Sequence, residues 1–326
     1  MVDGFARPIT YLRVSVTDKC NLRCVYCMPE EGLEWLRRDE ILSYEEIVAI
    51  VRAAASQGVR SIRLTGGEPL VRRDLHRLVE GIAAIDGIED IALSTNGLLL
   101  EAQLEALVAA GLKRVNVSLD TLREDRFAAV ARRPGLDLVL RGIDAAVGAG
   151  LTPVKINCVV MRGVNDDEIA DFAELTRTRA IYVRFIEVMP VHENLELQKD
   201  AYVSSDEILE RIAAAGDLAP VAGPGGNGPA RYFAFDGAPG ALGVISPLSH
   251  DYCDRCNRVR LTADGRLRLC LFGDHAVDLR GPLRAGATTE DLGAILASSM
   301  LIKPERHHLA LGQASSRMRA FSEIGG

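Results

Sequence analysis

The chain has 326 residues, with 38 Lys+Arg against 45 Asp+Glu and a formal net charge of −7. That length suits one large domain or two ordinary ones, and 48% hydrophobic with 25% charged residues excludes a disordered chain, a collagen-like chain and a small disulfide scaffold. No apolar run approaches the roughly 20 residues of a membrane-spanning helix, residues 1–10 lack the apolar stretch of a secretory signal, and the acidic balance argues against broad nucleic-acid binding.

In chain order, strand and helix patterns alternate. Residues 11–16 read as a strand. Ser43-x-x-Glu46 is a capping box opening a helix that runs to residue 57 and stops at Gly58. A strand at 60–64 leads into Gly66-Gly67-Glu68-Pro69, and a helix at 75–85 stops at Asp86-Gly87. Strands follow at 91–94, 114–119, 154–161 and 181–186, with helices at 101–110, 124–131, 136–149 and 166–176 between them. Ser204-x-x-Glu207 is a second capping box, opening a helix to residue 215.

Six βα units in a row imply a parallel sheet with helices outside. The expected fold is α/β, an incomplete (βα)6 TIM-like barrel, followed by a smaller C-terminal α+β segment. The expected division is 1–222 for the core and 223–326 for the remainder, because Gly223-Pro224-Gly225-Gly226-Asn227-Gly228-Pro229 reads as a loop. Beyond it, 231–235 and 242–245 look like short strands. Asp264-Gly265 reads as a hairpin turn between 259–262 and 266–270, and a helix covers 289–300.

The seven cysteines are Cys20, Cys24, Cys27, Cys158, Cys253, Cys256 and Cys270. An odd number in a large chain without an export signal argues against a disulfide framework. Cys158 stands in an apolar strand and reads as a small buried hydrophobe. The others form two triplets, Cys20-x3-Cys24-x2-Cys27 and Cys253-x2-Cys256-x13-Cys270. Three close thiolates hold an iron–sulfur cluster or zinc, with His250 or His275 as candidate fourth zinc ligands. On a four-iron cluster, three cysteines leave one iron open to another ligand.

The unusual polar residues collect at one edge. Cys20 to Cys27 follow the first strand, Gly66-Gly67-Glu68 the second, and Ser94 to Asn96 close the third. Ser118 and Asp120 close the fourth, Lys155 and Asn157 lie in the fifth, and Glu187 and Met189 follow the sixth. The carboxyl ends of parallel strands are the active-site edge of such folds.

The first triplet with Tyr26 inside it, followed by Gly66-Gly67-Glu68-Pro69 after the next strand, resembles the radical S-adenosylmethionine superfamily. The second triplet, Asn257-Arg258-Val259-Arg260 and the terminal Gly325-Gly326 are similar to its branch that cyclises GTP in the first step of molybdenum cofactor biosynthesis. The resemblance runs from about residue 7 to the end. It implies conversion of GTP to 3′,8-cyclo-7,8-dihydroguanosine 5′-triphosphate by a 5′-deoxyadenosyl radical, and two [4Fe–4S] clusters. Cys20, Cys24 and Cys27 would hold the first, whose open iron chelates S-adenosylmethionine. Cys253, Cys256 and Cys270 would hold the second, whose open iron binds guanine. It implies S-adenosylmethionine contacts at Tyr26, Gly67, Ser118 and Met189, and GTP contacts at Arg13, Arg63, Ser94, Lys155, Arg258 and Arg260.

GTP carries about four negative charges, so a chain of net −7 needs a local cationic cluster to bind it. Arg72, Arg73, Arg184, Arg266 and Arg268 are further candidates, and guanidinium suits phosphate oxygens. The resemblance also implies that Gly325-Gly326 reaches the active site and is needed for activity, that the product passes to cyclic pyranopterin monophosphate synthase, and it is compatible with a homodimer. The sequence names no electron donor. Free thiols and iron–sulfur chemistry point to the cytoplasm. The alternative is a related enzyme with an auxiliary cluster acting on a peptide, which shares the first triplet and Gly-Gly-Glu-Pro but needs no arginine set.

Overall fold

A computed structural model describes residues 1–189, 200–224, 228–273, 275–309 and 321. Six parallel strands and their helices alternate as expected: β1 (Tyr11–Ser15), α1 (Tyr44–Ser56), β2 (Ser61–Thr65), α2 (Leu75–Ala83), β3 (Asp90–Thr95), α3 (Leu100–Ala109) and β4 (Arg114–Ser118). Then come α4 (Glu124–Ala131), α5 (Leu136–Gly148), β5 (Val154–Val160), α6 (Ile169–Thr178), β6 (Ile181–Glu187) and α7 (Ser205–Ala213). The C-terminal part supplies β7 (Leu218–Val221), β8 (Arg231–Phe235), β9 (Ala241–Ile245), β10 (Arg258–Leu261), β11 (Arg266–Arg268), β12 (Ala276–Asp278), α8 (Arg280–Arg284) and α9 (Thr289–Met300).

Local chemistry explains the helix starts. Ser43 Oγ accepts from the Glu46 N–H while the Glu46 carboxylate accepts from the Ser43 N–H, so the box at α1 is complete. At Ser204 only half of the expected box forms. The Ser204 hydroxyl accepts from the Glu207 N–H, but the Glu207 carboxylate goes to Arg162 and Arg211 instead. Gly58, at φ +91°, takes the left-handed conformation that ends α1.

All strands join one open sheet, in the order β12-β11-β10-β1-β2-β3-β4-β5-β6-β9-β8-β7. The sheet does not close. β10 lies parallel to β1, and β9 parallel to β6. The C-terminal part therefore widens the six-stranded array on both edges, and the antiparallel strands β11, β12, β8 and β7 finish it. The sequence left β7 and β12 unrecognised, being short and polar or exposed. The Asp264-Gly265 hairpin joins β10 to β11 as expected. Apolar strand residues such as Leu12, Ile62, Leu93 and Phe185 are buried with helix residues such as Ile50 and Phe172 in one core, which fixes the strand ends that carry the chemistry.

Candidate active site

Loops at the carboxyl ends of the parallel strands enclose a cavity of about 210 Å³. Cys20, Cys24, Tyr26 and Cys27 line it from the loop after β1, Gly67 and Glu68 from the loop after β2, and Ser94 from β3. Ser118 at the end of β4, Met189 after β6 and Arg13 of β1 complete the wall. Thus the whole residue set assigned to S-adenosylmethionine, and two of the GTP set, face one space.

The Gly-Gly pair has a local cause. A Cβ on Gly67 would sit 2.3 Å from the Lys19 carbonyl oxygen, and one on Gly66 2.5 Å from that of Thr17. The Gly67 N–H donates to Thr17 O and the Glu68 N–H to Lys19 O, both at 2.8 Å. The glycines let this loop lie against the chain entering the first triplet, and so set its position. Glu68 is fully buried. Its carboxylate accepts from Thr95 Oγ1 at 2.7 Å and from the N–H groups of Asn96 and Leu70, while burial pushes its pKa up to about 7.

None of the three cysteines is in a disulfide. Burial pushes Cys20 up to about 11 and Cys24 well above its ordinary range, and Asp120, Cys27 and Cys20 push Cys24 further. Half-buried thiols that repel one another's thiolate forms are a donor set that cationic iron would relieve. Tyr26 Oη donates to Asp120 Oδ2 at 2.8 Å, and Asp120 Oδ1 accepts from the Val159 N–H. Tyr26 is thereby locked to the ends of β4 and β5.

Beside this cavity runs a row of arginines. Arg13 of β1 is in register with Arg63 of β2 and with Arg260 of β10, and Arg260 is in register with Arg268 of β11. Register partners project from the same face of a sheet, so four arginines stand on one face across four strands. Burial first, then Arg260, Arg63 and Arg258, lowers Arg13 to about 9, and burial with Arg258 lowers Arg260 to about 10. Tyr11, two residues before Arg13 on the same face, hydrogen-bonds Arg63. Burial alone would raise its pKa, but Arg63 and Arg13 bring it down to about 8. Such a row is unfavourable alone and favourable against a polyanion.

A second, wider cavity of about 790 Å³ is lined by Lys155, Arg231, Tyr252, Asn257 and Arg258 among others. Burial, then Arg184, Arg114 and Arg63, lowers Lys155 to about 7. Cys253 is raised by burial, Asp251, Cys270 and Cys256, which places the second triplet within electrostatic reach of itself. Burial would raise Cys256 too, but Lys303 and Arg258 lower it. Among the described residues no three His, Cys, Asp or Glu side chains are grouped to hold a single ion. A four-iron cluster asks for something else, since each cysteine serves a different iron.

Not every candidate joins the site. Arg72 donates to Val16 O and Leu42 O and stacks on Tyr44. Arg266 pairs with Asp264, and His250 with Asp206. Arg184 does join, donating to Asn157 Oδ1 at 2.6 Å. Cys158 is buried as expected. Gly325 and Gly326 lie outside the described residues, as do His192 and residues 225–227, while Phe321 lines the first cavity. Sequence reasoning passed over Tyr11, Tyr252 and Lys303. The alternation Tyr11-Leu12-Arg13 carried a signal for the first, whereas nothing in the sequence marked the other two.

A parallel α/β array with three cysteines after its first strand, braced by a Gly-Gly-Glu-Pro loop after its second, defines a radical S-adenosylmethionine enzyme. Residues 14–176 match the model of the Radical SAM superfamily, and residues 181–309 match Molybdenum Cofactor Synthesis C. The GTP 3′,8-cyclase of Pelotomaculum thermopropionicum is 50% identical over 327 residues, and that of Moorella thermoacetica 50% over 326, each covering 100% of both chains. The chain belongs to the GTP 3′,8-cyclase family of the radical S-adenosylmethionine superfamily, whose members work with a [4Fe–4S] cluster and S-adenosylmethionine. The crystal structure of Streptococcus suis SuiB bound to S-adenosylmethionine shares the fold, with a TM-score of 0.58 at 15% identity over 89% of this chain and 68% of that one. Among the described residues no helix is long and apolar enough to cross a membrane.

Proposed function

We propose that this protein converts GTP to 3′,8-cyclo-7,8-dihydroguanosine 5′-triphosphate, the first step of molybdenum cofactor biosynthesis. The observation that carries the reading is the row Arg268–Arg260–Arg13–Arg63 beside the cavity of the first triplet. A buried cationic row next to three thiols suits a triphosphate brought up to a radical source.

In this reading Cys20, Cys24 and Cys27 hold one [4Fe–4S] cluster, and Cys253, Cys256 and Cys270 hold a second. The first supplies, when bound, the electron that opens the S-adenosylmethionine sulfonium. Tyr26, Gly67, Ser118 and Met189 seat S-adenosylmethionine. The Gly67 N–H is already committed to Thr17, so the Gly67 carbonyl is the group it offers. Arg13, Arg63, Ser94, Lys155, Arg258 and Arg260 hold GTP, with the guanidinium groups and Lys155 on the phosphates. Their work is orientation: reacting atoms are held about 3–3.5 Å apart and water is kept out. Residues 1–222 would serve the radical source and 223–326 the second cluster and substrate. The protein works in the cytoplasm and hands its product to cyclic pyranopterin monophosphate synthase, and a homodimer is compatible with this reading.

The test is to incubate anaerobically reconstituted, dithionite-reduced protein with S-adenosylmethionine, with GTP, with ATP or with neither. We expect 5′-deoxyadenosine and an isomer of GTP to form together only with GTP. Equal 5′-deoxyadenosine without GTP overturns the substrate assignment. None at all, from protein with its iron verified, overturns the enzyme reading.

A further inference from the structure

Lys303 follows α9 in a polar stretch that the sequence marks as an ordinary tail, yet it is only 3% exposed. Its ammonium donates to the backbone oxygen of Arg258 at 3.2 Å and to that of Leu269 at 2.5 Å. It also bonds the thiol of Cys256. One buried cation therefore touches the segment after Cys256 and the residue before Cys270. Among the described residues no carboxylate forms an ion pair with it. A second cation closes the arrangement. Arg7 donates to Cys253 O at 2.7 Å and to the backbone oxygens of Pro304 and Glu305. Its charge is met by Asp3 at 2.7 Å, so Arg7 braces without adding net charge. Lys303 does both.

Burying a long side chain with its charge is costly unless something anionic answers it. Two carbonyl dipoles and one thiol are a modest answer. Three thiolates around a second cluster would be a full one, because that assembly is anionic and becomes more so on reduction. Resting on the reading of Cys253, Cys256 and Cys270 as ligands of a second [4Fe–4S] cluster, we propose that Lys303 is its positioning residue. It ties the Cys256 and Cys270 segments into one cradle and holds the reduction potential of the cluster up. A positive charge beside a ligating sulfur stabilises the reduced, more negative state. The consequence for the reaction is that the iron facing the substrate stays in a fixed place.

The experiment uses the full chain with Cys20, Cys24 and Cys27 all changed to Ala, so that only the second triplet can hold iron. After anaerobic reconstitution, iron and sulfide are counted, and the midpoint potential is read by electron paramagnetic resonance during a redox titration. The parent is compared with added Lys303→Met, which keeps length without charge, and Lys303→Arg, which keeps charge. We expect about four irons per parent chain. Lys303→Met should show a lower midpoint potential and several-fold faster iron loss to a chelator, and Lys303→Arg should restore the potential toward the parent. A Lys303→Met potential equal to the parent's overturns the proposal. So does equal loss of the cluster from the Met and Arg variants, since charge would then not be what the site requires. A parent that binds no iron overturns the second-cluster reading instead, so the two failures are distinct.

Discussion

Glu187, the last residue of β6, accepts a hydrogen bond from the Leu248 N–H at 3.0 Å, across 61 positions of sequence. The same carboxylate accepts from the N–H groups of Ser249 at 3.1 Å and Ser205 at 2.8 Å, and from the Ser249 hydroxyl. It is completely buried. One side chain thus fixes the strand end beside Met189 to the loop that leads, a few residues on, to Cys253.

Glu187→Ala would leave those buried donors without their acceptor, at a cost of about 3–4 kcal/mol in stability. The sharper readout is a ratio. With the two halves of the site no longer held together, 5′-deoxyadenosine should form in excess of cyclised product, while the intact protein yields the two together. A lower fraction of folded protein does not change that ratio. An unchanged ratio in a destabilised variant would reduce Glu187 to a purely structural role.

The arginine row gives a second prediction. Arg260→Met removes one of four neighbouring arginines. With GTP the parent should gain thermal stability and the variant little, as expected from losing a phosphate contact worth roughly 2–5 kcal/mol. A variant that keeps its full response to GTP would remove Arg260 from the binding set.

Lys155 makes the site sensitive to pH. Its pKa falls from 10.5 unfolded to about 7 folded. Between those values the unfolded chain holds the extra proton, so the contribution of Lys155 to stability rises with pH from about 7 to about 10.5, and its burial penalty is largest below 7. A bound triphosphate favours the ammonium. GTP binding near pH 8 should therefore take up a proton, and affinity should weaken as pH rises from 7 to 9. Titration calorimetry in two buffers of different ionisation enthalpy reads the uptake, which Lys155→Met should abolish. Equal uptake in the variant would place the titrating group elsewhere.

Much of this is legible in the sequence. Short apolar runs between amphipathic helices, several of which end at Gly, mark the six parallel strands, and polar residues collected at their carboxyl ends mark the cavity. What stayed hidden depended on contacts between distant segments. Arg13 and Arg260 are individually visible, but their adjacency follows from β10 lying beside β1, which no local pattern announces. Lys303 sits among Pro304, Glu305 and Arg306 in a stretch that reads as solvated, and only the return of that stretch over Cys256 buries it. Glu207 shows the converse: a correct local motif was outcompeted, because Arg162 and Arg211 offer its carboxylate ion pairs that the Ser204 N–H does not.

The seven thiols divide into roles that separate substitutions can tell apart. Cys24→Ser weakens a ligand in the first triplet and leaves the second triplet and the arginine row untouched. Iron should fall from about eight to about four per chain, 5′-deoxyadenosine formation should be lost, and GTP should still bind and raise the melting temperature. Cys158 is more deeply buried than Cys24, but its thiol faces the Asp120 carbonyl at 3.7 Å and the Asn165 amide at 3.8 Å and no other cysteine. Cys158→Ala should keep the full iron content and cost only the packing of one small side chain, about 1 kcal/mol. Normal turnover in Cys24→Ser would defeat the assignment of the first triplet. Iron loss in Cys158→Ala equal to that in Cys24→Ser would show that burial alone, and not membership of a triplet, governs which thiols the metal needs.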